Sequence, residues 1–441
     1  MRLIKFSAAN VFRSYNFSID FNPDLNFLVG INGSGKTTAL RLIQAALTVN
    51  VRELWTISFR EMEIQFEKDA KICTLTISKN KLEIEFRVIE LAGVSSIRIY
   101  EKDELEQYTK TGKIDEMAEE IRFRFLREKN LISEFMASIP EPMFIGLERR
   151  LKTNDELYDE ETFRFHITNG TRVAPARHRN APGEEGIENA RRLIKNEYRK
   201  YRRIADAANS SLVNVIVRST FKYIGIDDSL RADKSKRYAE YRNIISRRRE
   251  IEQVASELGG TSNAKNQIDL FFDKLESAHE TSDEPDGPAL LEWLLNKAQI
   301  ERIDAILKEL DRNKRSAAKV FAPIESFISV ANSFLNDSKK SVSVDSVGEL
   351  IIQREGDAVP IMSLSSGERQ LLTLLAHVTF MPRINAGIII IDEPELSLHL
   401  RWQETLVGQL TRLNSSIQFL FATHSPEIIG ENKKNALRVN R

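Results

Sequence analysis

The segment Gly30-Ile31-Asn32-Gly33-Ser34-Gly35-Lys36-Thr37 sets two glycines five positions apart and follows them with a lysine and a hydroxyl residue. That spacing suits a phosphate chain. Glycines let a loop curl until its backbone N–H groups converge on an anion, a lysine here reaches the β- and γ-phosphates, and the next hydroxyl can enter the shell of a Mg²⁺ ion. Asn32, Gly33, Ser34, Gly35 and Thr38 complete the candidate cradle, with Lys36 as its charge and Thr37 as its metal ligand. An ordinary glycine-rich turn is the competing reading. The cradle is favoured because apolar Leu25 to Val29 before it reads as a strand, and Thr37 to Leu47 after it has helical spacing.

A pair of acids stands far along the chain. Ile388-Ile389-Ile390-Ile391 is apolar enough for a strand buried on both faces, and Asp392-Glu393 stand at its carboxyl end, where open α/β sheets bind ligands. Asp392 suits the Mg²⁺ shell, and Glu393 suits a base or orienting group for water attacking a γ-phosphate. A charge pair at a helix N-terminus would explain the same two residues. Leu364-Ser365-Ser366-Gly367-Glu368-Arg369-Gln370 precedes the helical run Leu371 to Phe380, and Ser365 with Glu368 satisfies a capping box. Ala422-Thr423-His424-Ser425-Pro426 follows another apolar run, Ile417 to Ala422.

Together these four segments resemble the nucleotide site of ABC-type ATPases, in the family's order from residue 30 to residue 425. The resemblance implies ATP as ligand, Mg²⁺ as cofactor and catalytic roles for Lys36, Glu393 and His424, the last as the switch histidine near the γ-phosphate. It also implies that Ser365, Ser366 and Gly367 form the signature that meets a γ-phosphate held by the opposite subunit, so that the chain works as a homodimer or higher homo-oligomer. Asp392-Glu393-Pro394-Glu395-Leu396-Ser397-Leu398-His399 places His399 where transporter subunits carry aspartate, a pattern that resembles the soluble RecF, SMC and OLD-like ATPases. A helix-surface role for His399 stays open. Asn10-Val11-Phe12-Arg13-Ser14-Tyr15 is similar to the first hairpin of those proteins, which makes Arg13 a candidate phosphate contact. No Q-loop is evident; Glu148-Arg149-Arg150 could serve there, or form an exposed salt-bridged turn.

Phe327 to Leu335 and Trp402-Gln403 look like antiphage-defence ATPases of the Septu and PARIS kind. That likeness implies a separately encoded effector nuclease, of HNH or Toprim type, under the control of the ATPase. With few residues after His424, a fused Toprim nuclease is not expected.

These residues need a particular scaffold. The expected fold class is α/β: an ABC-type P-loop head with an N-terminal antiparallel β lobe and a helical insertion. Val11 to Phe21 reads as a strand, Glu61 to Phe66 and Leu82 to Phe86 alternate as an antiparallel sheet would, and Met143 to Leu147 suggests a buried strand. From about Glu184 to Phe334 the spacing is mostly helical without sustained heptads, which predicts a short arm or lid and a loop at Ser282 to Pro288. The expected division is 1–170 for the first part of the head, 171–340 for the insertion and 341–441 for the rest of the head.

Composition limits the alternatives. Among 441 residues, 64 Lys and Arg balance 64 Asp and Glu, so any attraction to polyanions must be local. Residues 172–249 supply one such excess, with twenty basic and nine acidic residues, notably Arg191-Arg192, Arg199-Lys200-Tyr201-Arg202-Arg203 and Arg247-Arg248-Arg249. They could meet nucleic acid or an acidic protein, or form a solvated helix face paired with acids elsewhere. One cysteine, Cys73, excludes an internal disulfide and reads as a small core residue. No apolar run is long enough to cross a bilayer, which argues against membrane contact and for a cytoplasmic protein. A regulatory ATPase leads, a DNA-binding ATPase of recombination, repair or chromosome maintenance is the alternative, and a transporter's ATPase subunit is third.

Overall fold

The computed structural model describes residues 1–99, 113–146, 184–220, 243–257, 266, 268–274, 276, 287–380 and 387–439. The chain forms two compact units, Met1–Glu197 with Pro323–Arg441, and Tyr198–Ala322.

The first unit is built on two large sheets and a small third one. Strands β1 (Arg2–Val11), β2 (Tyr15–Asp20), β4 (Glu61–Lys68), β5 (Lys71–Lys79), β6 (Glu83–Val88) and β7 (Ser95–Arg98) make an antiparallel sheet in the order β2-β1-β4-β5-β6-β7. Period-two alternation buries Met62, Ile64 and Phe66 of β4 and turns Glu61 to solvent. Cys73 is buried in β5, and that burial pushes its thiol pKa up. The strand expected over Val11 to Phe21 is instead the end of one strand, a turn and the next strand. Asn10, Phe12 and Arg13 take left-handed φ values of 58°, 47° and 63°, and the Ser14 hydroxyl donates to the Phe12 carbonyl. Apolar alternation hides that turn because Phe12 carries no turn signal.

The second sheet is parallel and holds β14 (Ala436–Arg438), β3 (Leu25–Val29), β13 (Gln418–Ala422), β12 (Ile388–Asp392) and β8 (Met143–Ile145), in that order. Every residue of β12 and β13 is buried, as the apolar runs Ile388–Ile391 and Phe419–Ala422 require of strands covered on both faces. Register decides where the chemistry goes: Asp392 pairs with Ala422, and Ala422 pairs with Leu28. The carboxyl ends of β3, β12 and β13 therefore lie side by side.

Helix α1 (Lys36–Thr48) is buried along nearly its whole length, and Leu40, Leu42, Ile43 and Leu47 share one apolar cluster with Phe6 and Phe66 of the antiparallel sheet and Ile390 and Leu420 of the parallel one. Burying side chains of this size stabilises by roughly 1.5–3 kcal/mol each. α1 leads into α2 (Val51–Thr56), and α3 (Ile114–Leu126) and α4 (Leu131–Ala137) follow the antiparallel sheet.

Helices α5 (Glu184–Thr220), α6 (Arg248–Glu257) and α7 (Gly287–Leu335) fill the middle of the chain. At 37 and 49 residues, α5 and α7 exceed the short elements expected from the missing heptads. In the second unit Leu212, Ile244, Phe272, Ile300, Leu307 and Leu310 form a separate core whose irregular spacing explains why no heptad seam was visible. Pro323, inside α7, stands at the boundary between units. Beyond it, Phe327 packs on Phe380 of α8 (Ser366–Phe380) with centroids 5.5 Å apart, and Phe334 meets Trp402 of α9 (Leu400–Leu413) edge-on at 6.0 Å. A small sheet of β9 (Lys340–Val344), β10 (Leu350–Arg354) and β11 (Asp357–Val359) precedes the Ser365 segment, and α10 (Pro426–Ile429) follows His424.

Candidate functional site

The loop from Gly30 to Gly35 joins β3 to α1, and Gly33 and Gly35 take φ values of 78° and 92°, a conformation that glycine reaches without a Cβ clash. Gly35 also lies against the hairpin: a Cβ there would stand 2.9 Å from Phe17 Cζ. From the same strand the Tyr15 hydroxyl donates to the Gly33 carbonyl at 2.7 Å, so β2 braces the loop from outside. Arg13, in the turn two residues earlier, is exposed, and its N–H donates to the Asn10 carbonyl at 3.4 Å.

The start of α1 has no side-chain cap and no acid in its first turn. Its unshared N–H groups and positive dipole end favour an anion. Lys36 is only 6% exposed, and its Nζ donates to the carbonyls of Gly30 at 2.9 Å and Ile31 at 3.3 Å, inside the curl of the loop. Burial lowers its pKa, while the carboxylates of Glu393, Asp392 and Glu395 oppose that shift. Ser34 is buried and its Oγ has no partner, a donor left for a ligand oxygen. Asn32 and Gly33 are exposed at the loop's crest, and Thr38 is half-buried in the first turn.

Asp392 and Thr37, 355 residues apart in sequence, meet here: the Thr37 hydroxyl donates to Asp392 Oδ1 at 3.1 Å. Burial pushes the Asp392 carboxyl above its ordinary value, and the Thr37 hydrogen bond works against that. A hydroxyl beside a carboxylate under a phosphate cradle fits Mg²⁺, which prefers oxygen ligands and keeps waters and substrate phosphates in its shell. Among the described residues no group of three or more His, Cys, Asp or Glu could form an all-protein metal cage. The donors therefore fit Mg²⁺ arriving with a nucleotide: Thr37 and Asp392 would hold it, and it would neutralise phosphate charge.

Glu393 follows at once, with φ 50° and its N–H donating to the Ala422 carbonyl at 2.8 Å. A left-handed glutamate is a strained backbone that surrounding structure must hold. Sequence reasoning gave no role to Glu395, yet it joins this segment to the His424 loop: Oε1 accepts from the His424 N–H at 2.7 Å and Oε2 from the Thr423 hydroxyl at 2.9 Å. Only the register of β12 on β13 brings these residues together, so no local signal could have found them. The His424 side chain is exposed.

At the other segment, Ser365 Oγ accepts from the Glu368 N–H at 3.2 Å and Glu368 accepts from the Ser365 N–H at 2.7 Å, the expected capping box. Lys340 pairs with the buried Glu368 at 2.8 Å and fixes the corner. Ser365 and Ser366 are exposed, and among the described residues no hydrogen bond joins them to residues 30–37 of the same chain. His399 caps α9, its Nδ1 accepting from the Arg401 N–H at 3.4 Å. Glu148-Arg149-Arg150 and most of the loop expected at Ser282 to Pro288 lie outside the described residues.

Part of the basic run of the middle region is paired with acids. Arg247 forms a two-pronged pair with Asp311 at 2.6 and 2.9 Å and also binds Glu250, while Arg248 reaches Glu252, Asp269 and Asp273. These bonds raise both arginine pKa values and pull Glu250 down to about 2. Arg191 and Lys195 pair with Glu349. Arg192, Arg199, Lys200, Arg202 and Arg203 are exposed.

Over 90 residues the chain is 31% identical to the Retron Ec83 probable ATPase of Escherichia coli, a stretch covering 18% of this chain and 17% of the relative. Over 91 residues it is 32% identical to the Retron Vc95 probable ATPase of Vibrio cholerae serotype O1 biovar El Tor, covering 18% of each protein. The matched stretches thus span under a fifth of either relative's length. An Smc head domain with an extended coiled coil from Pyrococcus furiosus, bound to the C-terminal domain of ScpA, aligns over 99% of this chain and 92% of its own, at 13% identity and a TM-score of 0.39. Another Smc head domain, from Pyrococcus yayanosii, aligns over 99% and 93% at 11% identity and a TM-score of 0.34. The AAA ATPase domain family matches residues 1–429, and with a P-loop, an acid-ended β12 and α1 on one sheet edge, the chain belongs to that family of ATPases.

Proposed function

We propose that the chain dimerises on Mg²⁺-bound ATP and that closure and reopening of the dimer control a separately encoded effector, a nuclease of HNH or Toprim type, in antiphage defence in the prokaryotic cytoplasm. One observation carries the dimer: Lys36, Thr37 and Asp392 stand together at the P-loop, while Ser365 and Ser366 are exposed without a bond to that loop. A γ-phosphate held by one protomer would then be capped by Ser365, Ser366 and Gly367 of its twin. Ile31, Met362, Leu396 and Leu400 are 72%, 49%, 40% and 54% exposed beside these segments, apolar surface that a second copy would cover. Glu393 would orient or deprotonate the attacking water and His424 would stand near the γ-phosphate. The retron ATPase relatives support a defence setting, and the nuclease partner rests on the likeness of Phe327 to Leu335 and Trp402-Gln403 to antiphage-defence ATPases. The test is phage protection by cells carrying this gene with and without its neighbouring reading frames. Protection should need both Glu393 and a neighbour, and full protection by Glu393→Gln alone would refute the partner.

A second reading, direct nucleic-acid work, rests on Lys308, Arg312, Arg315 and Lys319, which line one recess on α7. Salt-sensitive binding of duplex DNA that drops in Arg315→Glu/Lys319→Glu would support it, and unchanged binding would remove it.

A further inference from the structure

We propose that Glu395 is a positioning residue for ATP hydrolysis, acting through His424; the proposal rests on the nucleotide site described above. Its two carboxylate oxygens accept from two consecutive residues, the Thr423 hydroxyl at 2.9 Å and the His424 N–H at 2.7 Å. A carboxylate is the one side-chain end that can accept from both without offering a donor of its own. The same stretch of chain carries Asp392 and Glu393, so the carboxylate spans from the segment with the acids to the segment with the histidine.

The clasp is held from behind. Gln403 on α9 donates Nε2 to the Leu398 carbonyl at 3.0 Å and the Glu395 carbonyl at 3.4 Å, and its Oε1 accepts from the Ser425 hydroxyl at 2.7 Å. Ser425 Oγ in turn accepts from the Ile428 N–H and caps α10, and the Ser425 N–H donates to the Thr423 hydroxyl at 3.0 Å. Glu395 thus holds the His424 N–H and the Thr423 side chain, while Gln403 lies within bonding distance of the Ser425 hydroxyl, which Glu427 also reaches at 2.8 Å; the His424 ring itself is exposed and held by neither Glu395 nor Gln403. A displaced backbone moves that ring off the γ-phosphate, and a shift near 1 Å in a reacting group can cost about a hundredfold in rate.

The test measures kcat and the Kd of a fluorescent non-hydrolysable ATP analogue with Mg²⁺ in Glu395→Ala, Glu395→Gln, His424→Ala and Glu395→Ala/His424→Ala. Glu395→Ala should lower kcat about 10–100-fold with Kd changed less than about threefold, and the double variant should be no slower than His424→Ala alone. Glu395→Gln keeps the shape and loses one acceptor, so it reports kcat if the alanine variant does not fold. Turnover within twofold of wild type in Glu395→Gln, or losses that multiply in the double variant, would overturn the proposal. Wild-type protein that failed to bind the analogue would overturn the nucleotide site itself, and this inference with it.

Discussion

The carbonyl oxygen of Ser397 faces Gly367 so closely that a Cβ on that glycine would lie 2.3 Å from it. Ser397 has φ 62° and stands four residues after Glu393; Gly367 opens α8 beside Ser365 and Ser366. The loop that follows the acids is therefore pressed against the corner proposed to cap a second protomer's phosphate. Backbone on both sides leaves a methyl group no flexible neighbour to displace. Gly367→Ala is expected to keep the P-loop's own hold on the analogue, to weaken the cap offered to the second protomer's phosphate, and so to lose more in turnover, at least about tenfold, than in affinity. Comparing Kd with kcat checks it.

Lys36 and Glu393 separate binding from chemistry. Lys36→Ala removes the only side-chain cation inside the loop's curl among the described residues, and should weaken the ATP analogue by at least about tenfold. Glu393→Gln should leave that affinity near wild type and lower turnover by about a hundredfold or more. Calorimetry and a phosphate-release assay measure the two effects separately.

How much of this could be read from residues alone depends on the range of the signal. The P-loop and β12 were legible because their chemistry is local: glycine spacing before Lys36, and four isoleucines before Asp392. The capping box of Ser365 and Glu368 was legible for the same reason. The hairpin around Phe12 was legible only through the family resemblance of Asn10 to Tyr15, since residue pattern alone ran Val11 to Phe21 together as one strand. Glu395 was illegible because its partners lie 28 and 29 residues away and meet it only through strand register. Arg247 and Arg248 left two readings open, a polyanion contact and a helix face paired with acids elsewhere, because a local charge count cannot see Asp311, Asp269 or Asp273.

Arg247 should accordingly matter for stability more than for polyanions. Arg247→Ala strips Asp311 and Glu250 of a part-buried partner and should cost about 1–2 kcal/mol, with solvent screening keeping it below a fully buried pair. Chemical denaturation measures the loss, and DNA affinity should be unchanged.

His377 gives an acid-side dependence. It is 1% exposed in α8, its Nδ1 lies 2.5 Å from the Thr373 carbonyl, and Nε2 has no partner, so burial lowers its pKa from 6.5 to about 4. Between those values the unfolded chain binds a proton that the folded chain refuses, so the contribution is complete above pH 6.5 and is lost as pH falls toward 4. The loss is about 3 kcal/mol. Denaturation at a series of pH values should show this slope in wild type and a shallower one in His377→Leu.

The most direct measurement of the central idea is the mass of Glu393→Gln in sedimentation velocity, with and without Mg²⁺-ATP. The sandwich predicts a shift from one protomer to two on adding nucleotide, and no shift when Ser365→Arg or Lys36→Ala is combined with Glu393→Gln. A mass indifferent to ATP, or an ATP-dependent dimer that survives Ser365→Arg, would contradict it.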